Sequence, residues 1–181
     1  SSITEDGITD LLKELGVTKL ETRDLSDGRR QIVFYDGTMP YNLAATACNI
    51  RPGKCIAYSL IAIVDTGNAN FPLESINAIN QNNLFVTLVK VENGKYGAGR
   101  IDLIDGGVTR KNLAINIASF IVNYRDAMNQ LQKQLIASNQ NHSYLSASFG
   151  TPQLRMVPAT PQQMQQMTDK LSQNYATSLR R

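Results

Sequence analysis

The chain is poor in the residues that perform chemistry. It holds one histidine, two cysteines and no tryptophan in 181 residues. A structural zinc site needs four ligands drawn mainly from Cys and His, and this set falls short. Any triad built on a histidine base has to recruit His142. That residue sits in the polar run Asn139-Gln140-Asn141-His142-Ser143, a poor place to hold a base within hydrogen-bond reach, and is expected to be a solvated surface group. No catalytic residue, metal or cofactor is therefore expected. Charge of one sign is also scarce, the net being +3, and adjacent basic residues such as Arg29-Arg30 and Arg180-Arg181 are few. Binding of a phosphate backbone needs several Lys and Arg gathered on one surface, so nucleic acid is not an expected partner. Long hydrophobic runs are missing too. The longest, Ile56 to Val64, is interrupted by Ser59 and has strand length, well short of the roughly 20 residues that span a bilayer.

What is present reads as a globular chain with an appendage. The hydrophobic share is 42%, ordinary for a packed core, and the length suits one domain plus a tail. Amides accumulate late, with Gln153, Gln162, Gln163, Gln165, Gln166 and Gln173 among few charges. This shift divides the chain into a domain at 1–136 and an amide-rich linker with an amphipathic C-terminal helix at 137–181.

Periodicity supplies the elements. Ile8, Leu11, Leu12 and Leu15 repeat at helical spacing and Gly16 can cap the helix C-terminus, giving a helix over about 3–15. Strand patterns follow at 17–25 and 29–35, joined by Ser26-Asp27-Gly28, and again at 40–48 and 55–64. Pro72 opens a short helix to about residue 80. Segments 84–91 and 95–105 form a hairpin around Asn93-Gly94. Thr109 is the expected cap of the longest helix, about 110–136, whose stripe runs through Leu113, Ile117, Phe120, Ile121, Tyr124, Met128, Leu131 and Leu135. Short hairpins interleaved with few helices mean α+β with a largely antiparallel sheet, in the order α-β-β-β-β-α-β-β-α plus a C-terminal helix.

The two faces of the segment 40–64 differ. Tyr41, Leu43, Ile56, Tyr58, Leu60 and Val64 are large and suit a helix-covered core. Ala44, Thr46, Ala57, Ser59, Ile61 and Ile63 are small and mostly apolar, a face that water should not meet, so the tail or a second subunit is expected to cover it. The tail has a candidate. Thr160-Pro161-Gln162-Gln163 reads as a capped helix start, after which Met164, Met167, Leu171, Tyr175 and Leu179 fall on one stripe. A helix of about 20 residues with so narrow a stripe is marginal alone in water and should dock.

Three further motifs have both functional and structural readings. Gly94, Gly97 and Gly99 lack the strand–loop–helix context of a phosphate loop; a bulge or a close backbone approach is expected instead. Asp102 and Asp105, near the strand end with no companion acids, are expected at the surface or in a cap. Asn77 and Asn80 reduce helix propensity and are expected to bond the exposed backbone of a neighbouring loop.

Cys48 and Cys55 enclose six residues, including Pro52-Gly53. Redox motifs use two intervening residues, whereas cross-strand cysteines at a hairpin mouth can meet the distance limits of a disulfide. The expectation is a Cys48–Cys55 disulfide, which implies an oxidising compartment; two buried thiols in a cytosolic protein are the other reading. Since the chain begins at Ser1 without Met, it is expected to be a mature form after signal-peptide removal, a trimmed sequence being the alternative.

Taken in order, Cys48 and Cys55 before an apolar strand, Ile76-Asn77-Ala78-Ile79-Asn80, the hairpin, Gly107-Val108 and the long helix resemble the YbjN-like family, described as bacterial sensory-transduction regulators. The resemblance covers about residues 5–135 and rests on order and spacing. It implies a fold like that of type III secretion chaperones, which dimerise and bind protein segments, and export with a signal peptide and a cysteine pair. Family members often have an aromatic residue where Ile79 stands, and the extension beyond 137 is outside the pattern. No catalytic residues are established for the family, so none is implied.

The expected function is a non-catalytic protein-binding, chaperone-like or regulatory module of the bacterial envelope. It is expected to be periplasmic or secreted, homodimeric, and bound to a protein partner. Its binding residues are expected at Ala57, Ser59, Ile61 and Ile63, or in a groove beside the helices, with Met164, Met167, Leu171 and Tyr175 as the tail's contribution. A structural subunit of an envelope assembly, and a hydrolase with a Ser/Lys or Cys nucleophile, are the competing readings. Protein isolated without reductant should show no titratable thiol after unfolding. The Cys48→Ser, Cys55→Ser double variant should lose about 2–3 kcal/mol of stability while keeping its fold. Two thiols in the non-reduced chain would show the pair to be free.

Overall fold

An apolar run as continuous as 57–64 has to be covered on both faces, and the architecture provides both covers. The computed structural model describes residues 5–25, 28–46, 55–67, 69–92, 94–104, 107–140 and 153–178. Within them the chain runs α1 (Glu5–Glu14), β1 (Leu20–Asp24), β2 (Arg30–Asp36), β3 (Met39–Thr46), β4 (Ala57–Asp65), α2 (Leu73–Asn82), β5 (Thr87–Glu92), β6 (Lys95–Leu103), α3 (Arg110–Gln140), β7 (Arg155–Val157) and α4 (Pro161–Ser178). The fold is α+β, in the expected order with one addition, β7. The strands form a seven-stranded sheet ordered β1-β2-β3-β4-β6-β5, with β7 also on β4, and every pairing is antiparallel.

β4 is the hub. It pairs with β6 along its whole length and with β3 from Ala57 to Ile61. Beyond that point β3 has Pro40, which has no N–H to give a ladder. β7 takes over there, pairing Ile63, Val64 and Asp65 with Val157, Met156 and Arg155.

The first cover is helical. Ile8, Leu11 and Leu12 of α1, Ile76 and Ile79 of α2, and the stripe of α3 bury against Phe34, Tyr41, Leu43, Tyr58, Leu60 and Val64. Of the α3 stripe only Ile121 is half-buried. At its centre Tyr41 meets Phe120 and Tyr124 edge-on, with ring centroids 6.2 Å and 5.6 Å apart, and stacks on Phe34 at 5.4 Å; such contacts add to plain burial. Local chemistry fixes the helix ends. Gly16 (φ 86°) lets Gly16 N–H reach the Lys13 carbonyl and Val17 N–H the Leu12 carbonyl, both at 3.0 Å, the double bond of a Schellman motif. Thr109 Oγ1 accepts from Asn112 N–H at 3.1 Å and caps α3. Asn80 imitates a strand: its Nδ2 donates to Leu88 O at 3.0 Å and its Oδ1 accepts from Leu88 N–H at 2.7 Å. The outer edge of β5 is closed there, as edge strands need, while Asn77 is exposed.

Burial pushes the Tyr41 phenol up to about 12 and raises those of Tyr58 and Tyr124 as well, the Asp102 carboxylate adding to the effect at Tyr58. A folded pKa above the unfolded value of about 10 favours the native state at lower pH. That stability is intact below about pH 10 and is lost as pH rises through the folded values. Phenolate absorbance should therefore develop in two phases, the second coinciding with loss of near-ultraviolet circular dichroism. Ionisation of all seven tyrosines in one phase near pH 10, with the fold intact, would mean that water reaches the ring cluster.

A helix-filled groove as the candidate binding site

The second cover is the tail. On the face opposite α1, α2 and α3, Ala44, Ile61 and Ile63 form an apolar floor with half-buried Val89, Val91 and Ile101, and Met164, Met167 and Leu171 of α4 bury against it. The glycines of β6 decide how close the helix comes. A Cβ added to Gly97 would lie 2.7 Å from Met167 Cε, and one added to Gly99 would lie 2.7 Å from Leu171 Cδ1 and 3.2 Å from the Leu60 carbonyl. The two positions are notches that side chains of α4 fill, a close approach that only glycine permits.

Polar groups fix the register. Asn42 and Gln31 are fully buried. Asn42 Oδ1 accepts from Ala159 N–H at 3.2 Å, and Gln31 Nε2 donates to Ala159 O at 2.9 Å and to Asn42 Oδ1 at 2.8 Å. Asn42 Nδ2 donates to Ile61 O at 3.1 Å, and Arg23 Nη1 reaches Ala159 O at 3.4 Å. Thr168 Oγ1 donates to Ser59 Oγ at 3.3 Å, and Ser59 Oγ donates to Ala44 O at 3.4 Å. Gln31 Oε1 is buried without a partner.

The start and the rim of α4 are equally specified. Gln163 N–H donates to Thr160 Oγ1 at 3.2 Å and Thr160 N–H to Gln163 Oε1 at 3.0 Å, a reciprocal capping box. Gln163 Nε2 donates to Glu92 at 2.8 Å, Lys170 Nζ to Lys90 O at 2.6 Å, and Arg29 to Gln165 at 3.1 Å. Arg155 pairs with Asp65 at 2.9 Å; this contact and the Gly67 N–H hold the Asp65 carboxyl below its usual range.

The residues expected to bind a partner are therefore brought together, facing one another. Ser59, Ile61 and Ile63 are buried under the tail, Ala57 is buried in the same strand, and Met164, Met167 and Leu171 are buried in return. The two halves of the expected surface occupy each other. Tyr175 lies in α4, its side chain outside the described residues. The linker expected from residue 137 is α3 as far as Gln140, and β7 lies within the former linker. Cys55 is half-buried and disulfide-bonded; Cys48, its expected partner, lies outside the described residues, as do His142 and Asp105. Asp102 is not a surface group. Its side chain is 11% exposed, ion-paired with Arg100, whose guanidinium lies 5.4 Å from the Phe85 ring centroid. No helix among the described residues is long and apolar enough to cross a membrane, and none of their His, Cys, Asp and Glu form a group of three or more that could hold a metal.

Sequence reasoning found the apolar half of the groove and missed Gln31, Asn42 and Arg23. Each occupies an unremarkable strand position, and its partner is more than a hundred residues away. Comparison with protein families, with curated proteins and with solved structures finds no match for this chain.

Gly99→Ala should destabilise the protein by about 1–3 kcal/mol, because the new methyl meets a backbone carbonyl as well as Leu171. Gly97→Ala should cost less, since the nearest atoms are the far end of a flexible methionine. The paired Gly97→Val, Gly99→Val variant should unseat α4: its amides should exchange as a free helix does, while the near-ultraviolet signal of the aromatic cluster persists. Unchanged protection of α4 would show the groove to be loose.

Proposed function

We propose that this protein is a non-catalytic, chaperone-like or regulatory protein-binding module of the bacterial envelope, and that its binding surface is the notched sheet face now held by α4. The observation that carries this reading is the groove itself. It has an apolar floor, two glycine notches and a polar cradle, and its occupant is an amphipathic helix of the C-terminal segment. Helix-in-groove recognition uses this geometry, and methionines give an adaptable contact surface.

The remaining observations support the same reading. Ser59, the serine in the groove, has only a carbonyl and a hydroxyl as partners, and neither is a base that could activate it. Tyr41, Tyr58 and Tyr124 are buried among the core side chains beneath the helices, a packing role. The order α-β-β-β-β-α-β-β-α over residues 5–140 fits the resemblance to YbjN-like proteins and, through it, to type III secretion chaperones. A disulfide at Cys55 fits a periplasmic or secreted location. The homodimer that the resemblance implies needs a surface other than the filled groove; Ile115 and Val122, exposed on the outer side of α3, offer one.

The test compares the full chain with a Met167→Lys, Leu171→Lys variant whose tail cannot stay buried. From envelope extract of the native host, the variant should retain one protein in near-stoichiometric amount and the wild type far less. A nucleophile-directed probe should leave both unlabelled. Equal, fixed-ratio retention by the two forms points to the structural-subunit reading. Stoichiometric labelling of a serine or cysteine in the folded chain supports the hydrolase instead.

A further inference from the structure

If the groove is a binding site, its polar floor says what shape of segment it selects. The backbone of one occupant residue, Ala159, is read at both its N–H and its C=O, by Asn42 and by Gln31 with Arg23. Such recognition is independent of side chain and demands an extended residue, since inside a helix both groups are committed to helical bonds. Before that residue, β7 adds three residues to the stretch of β4 that β3 leaves unpaired. After it comes a capped helix whose apolar side chains enter at Met164, Met167 and Leu171, which are five, eight and twelve positions beyond Ala159. The groove combines strand addition with helix docking, two modes usually found apart.

The reading groups belong to β1, β2 and β3, so they remain in place when the tail leaves. An emptied groove would expose the apolar floor of Ala44, Ile61 and Ile63 to water, which favours an exchange of occupants over a vacant site. The resident occupant is also imperfect. With the tail seated, Gln31 Oε1 is fully buried and has no donor. A second copy of the chain would bring the same tail and leave the same gap, so exchange between identical copies gains no contact. A different polypeptide can bring the missing donor.

Resting on the proposed binding function, we infer that the groove is a recognition site for an extended-then-helical segment of a separate partner protein. That segment carries a small hydrogen-bond-donating residue where the tail has Ala159, and unbranched apolar residues at the positions of Met164, Met167 and Leu171. The tail, residues 153–178, is the resident competitor that such a segment displaces.

The experiment uses the full-length Met167→Lys, Leu171→Lys chain and fluorescent peptides read by anisotropy. The peptides are residues 153–178, residues 161–178 alone, and 153–178 carrying Ala159→Ser. The long peptide should bind saturably, and the helix-only peptide about tenfold or more weakly, having lost the strand and the Ala159 contacts. The serine peptide should bind about threefold or more tightly than its parent. Wild-type chain should bind all three weakly, because its own tail competes at high effective concentration. Equal affinity of long and helix-only peptides would overturn the inference and leave a general helix-binding module. Failure of the serine peptide to gain affinity would remove the foreign partner, as would tail exchange between labelled wild-type copies with a doubled mass. No binding of any peptide, with the aromatic near-ultraviolet signal intact, would remove the binding function as well.

Discussion

A strand that is apolar on both faces, as β4 is from Ala57 to Val64, cannot be satisfied by one layer of helices. Burying its large side chains beneath α1, α2 and α3 leaves Ala57, Ser59, Ile61 and Ile63 on the other side, and that side also has to leave water. Antiparallel sheets commonly keep one face solvated; this one has no such face near its centre. The two-sided demand of a single strand is what makes the C-terminal segment part of the fold.

The two covers meet that demand by different means. On the helix side the spacing is filled by rings and branched chains, with Tyr41, Phe120 and Tyr124 in mutual contact. On the tail side the floor of Ile61, Ile63, Val89 and Val91 is interrupted at Gly97 and Gly99, and there the methionine and leucine chains of α4 come close to the backbone of β6. An apolar helix over a smooth floor could slide by a turn at little cost. The bonds from Gln31 and Asn42 to Ala159 and from Thr168 to Ser59 remove that freedom, because any other register leaves buried polar groups unpaired.

Much of this was legible in the residues because it is written at short range. Helical and strand periodicity, the cap at Thr109, the capping box of Thr160 and Gln163, and the contrast between the faces of β3 and β4 all depend on neighbours within a few positions. What escaped depends on distant ones. β7 is three residues long, too short to show alternation, and exists because Pro40 weakens the adjoining strand. Gln31 and Asn42 resemble polar residues on a solvated strand face, and only Ala159, 128 and 117 residues later, gives them their role. The burial of Asp102, by an ion pair with Arg100 beside Phe85, leaves no local trace.

The pairing of β4 with β7 also orders events in time. Asp65 and its partner Arg155 are 90 residues apart, and at ribosomal rates of 5–20 residues per second that distance takes roughly 5–20 s to synthesise. By the end of this interval β1 to β6 and α1 to α3 have all been made, but the notched face has no lid and the end of β4 lacks its β7 neighbour. Each new molecule thus passes through a stage in which the surface that it later seals is open to any passing amphipathic segment, in an order dictated by the position of one strand in the gene.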